Sequence, residues 1–426
     1  MDRKVGEYIL VESHIKMQRR RKIFSILIGT AIEYFDNTLF MIFLFIISPL
    51  FFPADNPVTS RLLATGTFAA GYILRPLGGI FFGHIGDRVG RKKSLYLSMM
   101  FMVIPTFIIG LLPTYQQIGF LAPMILIGCR LLQNFCIGGE TAGGLVSLVE
   151  HAQPGHKGFA ASLLTVGAML GSLVAVSLGF LFLQPCFSDW GWRIPFLLGS
   201  IFGLIGIKTR LKFSETRAFE KAKKENRLLR QPFLDLLIKD YRELVYTMGM
   251  SATYVSIYYT IFVYIVDVLK RDLGIESFQI MTINFFIILL WLFLVPLMGL
   301  ISDKFDRRHM LQLASLSLLL SAYPLFYLIF KSLCVINVLL LEVIFSVIGA
   351  AAAAACAPLV TSQYATSKRY SGTAFGWSTG VTLFGGFTPF LSAQLVVYTN
   401  NPASPAFILM ICGAIGILST INIKNK

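Results

Sequence analysis

The sequence has few charged residues and an excess of apolar ones. Charged side chains make up 14% of the 426 residues and hydrophobic ones 55%, and the mean hydropathy is +0.71. A typical soluble domain has about 25% charged residues and buries its apolar side chains in one core. This chain has too much apolar surface for that arrangement. The composition therefore predicts a polytopic membrane protein.

Several chemistry-bearing patterns are also missing. The six cysteines include no C-x-x-C pair, so neither a disulfide framework nor a zinc site is expected. No phosphate-binding G-x-x-x-x-G-K-[ST] loop, nucleophile elbow, H-E-x-x-H pair or dinucleotide fingerprint occurs. These absences argue against a membrane enzyme and an ATP-driven pump. We expect no catalytic activity, no cofactor and no metal.

Apolar windows of about 20 residues, the length that crosses a hydrocarbon core, recur along the chain. A polar lead precedes the first window and lacks a small-residue cleavage site, so we expect that span to be retained. One long polar interruption divides the windows six and six. We predict an all-α protein with 12 transmembrane helices in two six-helix halves, made of an N-terminal segment 1–22, a bundle 23–207, a linker 208–243 and a bundle 244–422. The windows themselves lie near 23–50, 60–83, 95–113, 117–147, 158–184, 191–211, 244–267, 277–301, 309–330, 333–358, 371–397 and 403–422.

The distribution of basic residues predicts the orientation. The net charge is +15, and 30 of the 37 Lys and Arg residues fall in segments that this topology places on one side. Basic residues concentrate on the cytoplasmic side of membrane proteins. The pattern therefore puts both termini in the cytoplasm, and it argues against nucleic-acid binding. Membrane lipid is the expected surrounding, and we expect a monomer.

A repeated turn motif relates the two halves. The sequence GHIGDRVGRKK begins at Gly83 and is echoed by GLISDKFDRRH at Gly299, 216 positions later. Gly158 and Gly171 match Gly372 and Gly385 at an offset of 214. Two motif pairs at nearly the same offset predict parallel halves with a site between them near the membrane midplane.

Four ionisable residues are predicted near the middle of their spans: Glu33, Asp36, Arg75 and Arg130. Each costs at least about 2.5–3.5 kcal/mol to insert, so each requires a reason. One interpretation is proton and charge coupling, in which a carboxylate exchanges a proton while an arginine holds or releases it. The alternative is a permanent buried salt bridge that fixes helix register.

Two further acids lie inside spans. Glu140 is ten residues beyond Arg130, which places it about 15 Å along the helix, towards the cytoplasmic end. We interpret Glu140 as part of a gate. Glu342 is the one clear acidic residue inside a second-half span, and a hydrogen bond to a neighbour is an equally good explanation for it.

Aromatic residues provide candidate substrate contacts. Tyr254 and Tyr258 share one helical face, and rings of this kind can enclose a quaternary ammonium group by cation–π attraction. Packing against lipid is the alternative for any single ring. The predicted binding residues are Tyr34, Tyr254, Tyr258 and Trp377.

Several motifs together resemble one family of transporters. They are the turn at 83–93 with its echo at 299–309, GTAIEYFDNTLF at 29–40, YILRPLGG at 72–79 and RLLQNFCIGGETAGG at 130–144. They look like the metabolite:proton symporter family of the major facilitator superfamily, whose members include proline/betaine, 2-oxoglutarate, shikimate and citrate transporters. The resemblance implies proton-coupled alternating access. It also implies a cytoplasmic latch in which Asp87 and Arg91 meet the start of span eleven.

These observations predict a secondary transporter of a bacterial inner membrane. We expect it to import a small polar or zwitterionic metabolite, similar to proline or betaine, together with a proton. The alternatives are a 2-oxoglutarate or other carboxylate:proton symporter, a facilitator without proton coupling, and a non-transporting sensor of the same fold. The predicted gating residues are Asp87, Arg88, Arg91, Glu140 and Asp303.

Overall fold

The computed structural model describes residues 23–53, 57–184, 187, 190–211, 214–421 and 423. Within these ranges the chain is nearly all helical and contains no strand. The predicted segment 1–22 lies outside the described residues, as does Cys186. The other five cysteines are free, and four of them are buried. An all-α architecture is therefore confirmed.

Twelve long helical segments follow one another along the described chain. We number them α1 to α12, and α1 consists of residues 23–42 continued by Leu44–Phe51. Five more precede the linker: α2 Pro57–Arg88, α3 Arg91–Leu111, α4 Leu121–His151, α5 Lys157–Phe182 and α6 Arg193–Leu211. Six follow it: α7 Tyr241–Arg271, α8 Ser277–Lys304, α9 Arg307–Lys331, α10 Val335–Ser362, α11 Arg369–Thr399 and α12 Pro405–Ile421.

Nine of these helices, all between Arg91 and Thr399, are individually long and apolar enough to cross a membrane. The helix α12 is apolar but shorter, at 17 residues. The first predicted span is not one continuous helix, because a turn at Phe43 separates residues 23–42 from Leu44–Phe51. The Phe43 carbonyl accepts from the amides of both Ile46 and Ile47, at 3.0 and 2.8 Å.

The two halves meet along helix pairs that lack side-chain bulk. The helix α2 packs against α11, and α5 packs against α8. A Cβ atom at Gly83 would lie 2.7 Å from the Ser371 Cα, and one at Gly79 would lie 2.7 Å from the Ala374 carbonyl oxygen. Only glycine permits this approach of one helix backbone to another. Gly79 and Gly83 of α2 thus lie at the boundary between the halves.

Two helices of the second half contain a π-helical turn. In α7 it covers Thr260–Tyr264, and in α11 it covers Thr382–Gly386. Such turns widen the helix by one residue and often occur at functional sites. Both follow closely after residues that line the cavity described below. Neither π-helical turn was predicted from the sequence.

The predicted linker contains two short helices, Arg217–Lys224 and Pro232–Lys239. The helix before the linker, α6, ends at Leu211, and the helix after it, α7, begins at Tyr241. The domain boundaries at 208 and 243 stay a prediction. We refer to the end of the bundle that carries the two repeated turns as the basic end, and to the other as the opposite end.

Candidate functional site

A small cavity lies between the two halves, and about 30 Å³ of it is open to a water-sized sphere in the conformation described. All four aromatic residues predicted to bind substrate line it, and Arg75 is the one charged residue among its lining. The full lining is Tyr34, Arg75, Ile137, Thr141, Tyr254, Val255, Tyr258, Tyr259, Trp377, Ser378 and Val381.

The aromatic rings form a continuous wall on one side of the cavity. The Tyr254 ring lies 5.9 Å from that of Trp377 and 6.2 Å from that of Tyr258, measured between centroids. Tyr34 of the first half meets Tyr258 edge to face at 6.3 Å. Ring faces carry partial negative charge and attract cations. This wall can therefore accept the positive end of a small ligand.

Arg75 is held in place by neighbours on two sides. Its Nε donates to Asn134 Oδ1 at 2.9 Å, and its Cζ lies 4.0 Å from the centre of the Tyr72 ring. The Tyr72 hydroxyl is fixed in turn by the Tyr259 hydroxyl at 2.6 Å. Because Nε is occupied, the terminal nitrogens of the guanidinium provide the remaining donors for an anionic group.

Asn134 and Tyr72, which position Arg75, were not among the predicted site residues. Asn134 lies four residues after Arg130, so the two share one helical face. That spacing was a usable signal for Asn134. Tyr72 lies three residues before Arg75 on the same helix, which is a similar signal, whereas its hydrogen bond with Tyr259 of α7 depends on the packing of the two halves.

Asp36 and Arg130 form a buried ion pair, with Oδ2 and Nη1 separated by 3.1 Å. Thr106 donates to the other Asp36 oxygen at 2.9 Å. The Gln133 side chain bridges the pair, because it accepts from Arg130 at 2.9 Å and donates to Thr106 at 3.0 Å. Both oxygens of Asp36 thus accept hydrogen bonds, and a buried charge pair supported in this way is the arrangement that a structural salt bridge requires.

Glu33 lies in a different environment. It is buried, and its Oε1 accepts from Thr141 at 2.8 Å, while Oε2 has no hydrogen-bond partner among the described residues. No ion pair of the described chain includes Glu33. Thr141 also lines the cavity. The four predicted midplane charges are thus divided into a closed pair, Asp36 with Arg130, and two groups beside the cavity, Glu33 and Arg75.

The repeated turns hold the starts of two helices in the opposite halves. Asp87 accepts from the amides of Tyr370 and Ser371, at 3.1 and 2.8 Å, in the first turn of α11. Asp303 accepts from the amides of Gly158 and Phe159, at 2.7 and 2.8 Å, in the first turn of α5. The free amides and the dipole at a helix N-terminus favour a carboxylate. Each half therefore caps a helix of the other half at the basic end.

Arg91 connects Asp87 to a wider polar cluster. It lies 3.2 Å from Asp87 and 3.3 Å from Glu150, and it donates to the Thr366 carbonyl at 2.7 Å. Glu150 also pairs with Arg369 of the second half at 2.9 Å. Sequence analysis missed Glu150 and Arg369, since neither belongs to the repeated motif. Arg88 is exposed at the end of α2, and none of the polar contacts recorded for the described chain involves it.

The linker helices contact this cluster from both sides. In the first, Phe219 lies under the Arg91 guanidinium at 4.9 Å. Beside the second, Lys368 forms ion pairs with Asp235, at 2.9 Å, and with Asp240. Burial opposes the charge on Lys368, but hydrogen bonds to the two carboxylates raise the pKa of this lysine. Hydrogen bonds from Lys239 and Lys368 lower the pKa of Asp235.

These pKa shifts indicate a contact that is stable over a wide pH range. A lowered carboxyl pKa stabilises the fold above the ordinary value of 3.8, and a raised lysine pKa stabilises it below the ordinary value of 10.5. The contribution of Asp235 is lost as pH falls through its lowered pKa, and that of Lys368 as pH rises through its raised pKa. The linker contact is therefore not a pH sensor near neutrality.

Glu140 lies inside the first half. It forms an ion pair with Arg210 of α6, and its other oxygen accepts from Ser98 of α3 at 2.7 Å. These partners belong to the same half as Glu140. The contacts link three helices of one bundle, whereas a gate between the halves needs a partner in the other half.

The chain belongs to the Major Facilitator Superfamily. The family model matches residues 26–389. Helical architecture, repeated turns and a cavity between two halves all agree with this membership, and the expected fold class is confirmed.

The chain is similar in sequence to several transporters of this superfamily. The chain is 32% identical over 422 residues to the proline/betaine transporter of Escherichia coli K12, which covers 95% of this chain and 83% of that protein. It is 33% identical over 402 residues to the citrate-proton symporter of Klebsiella pneumoniae, covering 93% and 90%. The proton:xylose symporter XylE bound to 6-bromo-6-deoxy-D-glucose superposes with a TM-score of 0.77 at 14% identity, covering 95% of each chain. The last similarity concerns the fold alone.

Proposed function

We propose that this protein is a proton-coupled symporter that imports a small zwitterion, similar to proline or glycine betaine, across a bacterial inner membrane. The observation that carries the proposal is the cavity lining, in which one guanidinium faces a wall of four aromatic rings. The similarity to proline/betaine transporters supports the same class of substrate.

The two ends of such a zwitterion match the two parts of the cavity. A carboxylate pairs with Arg75, because a guanidinium donates two parallel hydrogen bonds to a carboxylate. A secondary or quaternary ammonium group lies against Tyr254, Tyr258 and Trp377. Citrate carries three carboxylates, and the lining has a single positive residue for them. The lining therefore favours a monocarboxylate over citrate, and 2-oxoglutarate remains the second candidate.

Glu33 is the proposed site of the transported proton. A buried carboxylate without a counterion is unfavourable, so the neutral acid is the stable form in the arrangement described. Its Oε2 has no partner that would hold the charged form, and its partner Thr141 borders the cavity. Substrate and proton therefore bind next to each other.

The basic end is assigned to the cytoplasm, together with both termini, from the distribution of basic residues. In the conformation described, Asp87 and Asp303 join the halves at that end. Alternating access requires these contacts to break when the site opens inwards. We propose a monomer in the lipid bilayer as the transporting unit, with no nucleic-acid partner.

Uptake into proteoliposomes tests the function. Labelled proline, glycine betaine and 2-oxoglutarate are offered with and without an inward proton gradient, and a protonophore is the control. We expect proline or betaine to accumulate only with the gradient. Gradient-independent equilibration would indicate a facilitator, and no uptake of any solute would leave the sensor alternative in place of a transporter.

Replacing Arg75 tests the assignment of the substrate carboxylate. We expect Arg75→Gln to raise the KM for the transported zwitterion by roughly 10- to 100-fold, since a hydrogen bond to a charged group contributes about 1.5–3 kcal/mol. Arg75→Lys should recover only part of this, because an ammonium cannot make the paired contact. Arg242→Gln removes an exposed guanidinium whose side chain bonds Tyr241, so it is the matched control. An unchanged KM for Arg75→Gln would contradict the assignment.

Replacing Asp87 tests the contact at the basic end. We expect Asp87→Asn to weaken closure there and to increase alkylation of cysteines introduced inside the basic end by about tenfold, because one charge-assisted cap contributes about 1–2 kcal/mol. Asp303→Asn, which alters the equivalent cap on α5, should act in the same direction. If neither variant changes the labelling rate, these caps do not hold the closed form.

A further inference from the structure

A second acid lies buried in the other half of the protein, without a hydrogen-bond partner among the described residues. Glu342 of α10 has no exposed surface, and neither of its carboxyl oxygens has a hydrogen-bond partner. It begins the third turn of a helix that starts at Val335, about 10 Å from the opposite end. Within the described chain it is the residue whose carboxyl oxygens are both buried and unbonded. The sequence left open that Glu342 forms a hydrogen bond with a neighbour, and no such bond occurs among the described residues.

The charged groups of the surrounding helices do not neutralise this acid. At the opposite end, Arg271 of α7 pairs with Asp267 at 3.0 Å and with Asp272 at 2.8 Å. Lys270 donates to Ser277 of α8, and Lys331 of α9 is exposed. On α4, α8 and α11, nearer the basic end, Glu140, Asp303 and Arg369 each form an ion pair with another residue. Lys157 at the start of α5 is exposed. The tyrosines of α7 and α9, Tyr264 and Tyr323 among them, make no hydrogen bond to Glu342.

The helix that carries Glu342 contacts the wall of the substrate cavity through Ser346 and Trp291. Ser346 lies one helical turn further along the same face of α10 and accepts a hydrogen bond from Trp291 Nε1 at 2.8 Å. The Trp291 ring packs 6.2 Å from Tyr254 and 6.1 Å from Tyr258. The tyrosines of α7 that form the cavity wall are therefore linked to α10 through the side chain of Trp291.

We propose that Glu342 is a second proton-binding site, whose proton exchanges during each transport cycle in addition to the proton at Glu33. The inference rests on the proposed symport function. In the conformation described, the acid holds its O–H proton, because burial without a counterion disfavours the anion. When re-packing of α7 and α10 admits water, the O–H bond breaks, the proton passes to water and the carboxylate stays on the protein. A hydrated glutamate has a pKa of about 4.3, so release at neutral pH follows.

The proton-to-substrate ratio tests this assignment. Proteoliposomes are clamped at zero voltage with valinomycin and potassium, and the substrate gradient that exactly halts net flux is measured at a fixed pH difference. One proton per zwitterion balances about tenfold accumulation per pH unit, and two protons balance about a hundredfold. We expect about a hundredfold for the unmodified protein and about tenfold for Glu342→Gln, whose side chain imitates the neutral acid.

Each possible outcome either supports or overturns the assignment of a second proton to Glu342. A ratio of one proton in the unmodified protein overturns the proposal, as does an unchanged ratio in Glu342→Gln, which would assign the acid a permanently protonated structural role. Substrate counterflow, which needs no net proton movement, verifies that the variant is folded. If Glu342→Gln does not fold, a ratio of one proton in the unmodified protein still overturns the proposal, and a ratio of two supports it. Uptake that ignores the pH gradient altogether would instead be a failure of the symport function itself.

Discussion

Glu33→Gln is expected to abolish accumulation of substrate against its gradient while leaving substrate exchange intact. The substitution keeps the size of the side chain and imitates the protonated acid, so the hydrogen bond with Thr141 can persist. Because Glu33 is the acid next to the substrate cavity, we expect a carrier that cannot release this proton to return only when loaded with substrate, whether or not Glu342 still exchanges its own proton. We expect pH-driven uptake to fall at least about 100-fold. This fall corresponds to a loss of about 2.7 kcal/mol or more of the free energy that couples uptake to the proton gradient. Uptake and counterflow in the same proteoliposomes provide the measurement.

A matched variant separates loss of the proton from loss of the fold. Thr141→Val removes the hydroxyl that donates to Glu33 but keeps the carboxyl group. We expect it to shift the pH dependence of uptake without eliminating accumulation, because the acid can still exchange its proton. Normal pH-driven accumulation by Glu33→Gln would show that Glu33 is not the coupling site. Loss of counterflow as well would indicate damage to the substrate site rather than to coupling.

The sequence allowed prediction of the fold because its signals are local and repeated. Apolar length, positive charge and two copies of one turn each act through a short segment, and together they specify twelve helices in two halves. The broken first helix and the π-helical turns in α7 and α11 escaped prediction. Those features depend on packing between helices, and a short stretch of sequence gives no information about such contacts.

The candidate site was only partly predictable, for a related reason. Arg75 and the four aromatic residues could be selected because charge and ring type are visible in the sequence, and all line one cavity. Which acid pairs with which arginine was not visible. Glu33 and Asp36 are three residues apart, yet one meets Thr141 and the other meets Arg130. The partners of Asp87 at the start of α11 were expected from the family resemblance, whereas Glu150 and Arg369 emerged only from the packing.

Arg130→Gln is expected to cause the largest loss of stability of any single substitution considered. It leaves the Asp36 carboxylate buried without its counterion, and breaking a buried ion pair on one side typically costs about 3–5 kcal/mol. The hydrogen bond from Arg130 to Asn37, at 3.1 Å, is lost as well. Thermal unfolding in detergent, followed by the loss of monomer on size exclusion, provides the measurement. An unfolding midpoint equal to that of the unmodified protein would contradict a stabilising role of the Asp36–Arg130 ion pair.

The double variant Asp36→Asn/Arg130→Gln then distinguishes structure from coupling. Two neutral amides remove the uncompensated charge, so we expect the midpoint to recover most of its loss, as replaced buried ion pairs often do. Since the pair is closed by Thr106 and Gln133 and lies apart from Glu33, we expect the double variant to retain pH-driven accumulation. A stable double variant that exchanges substrate but no longer accumulates it would instead assign the proton to Asp36. The comparison between these variants and Glu33→Gln thus decides which carboxylate of the first helix carries the proton and which one holds the bundle together.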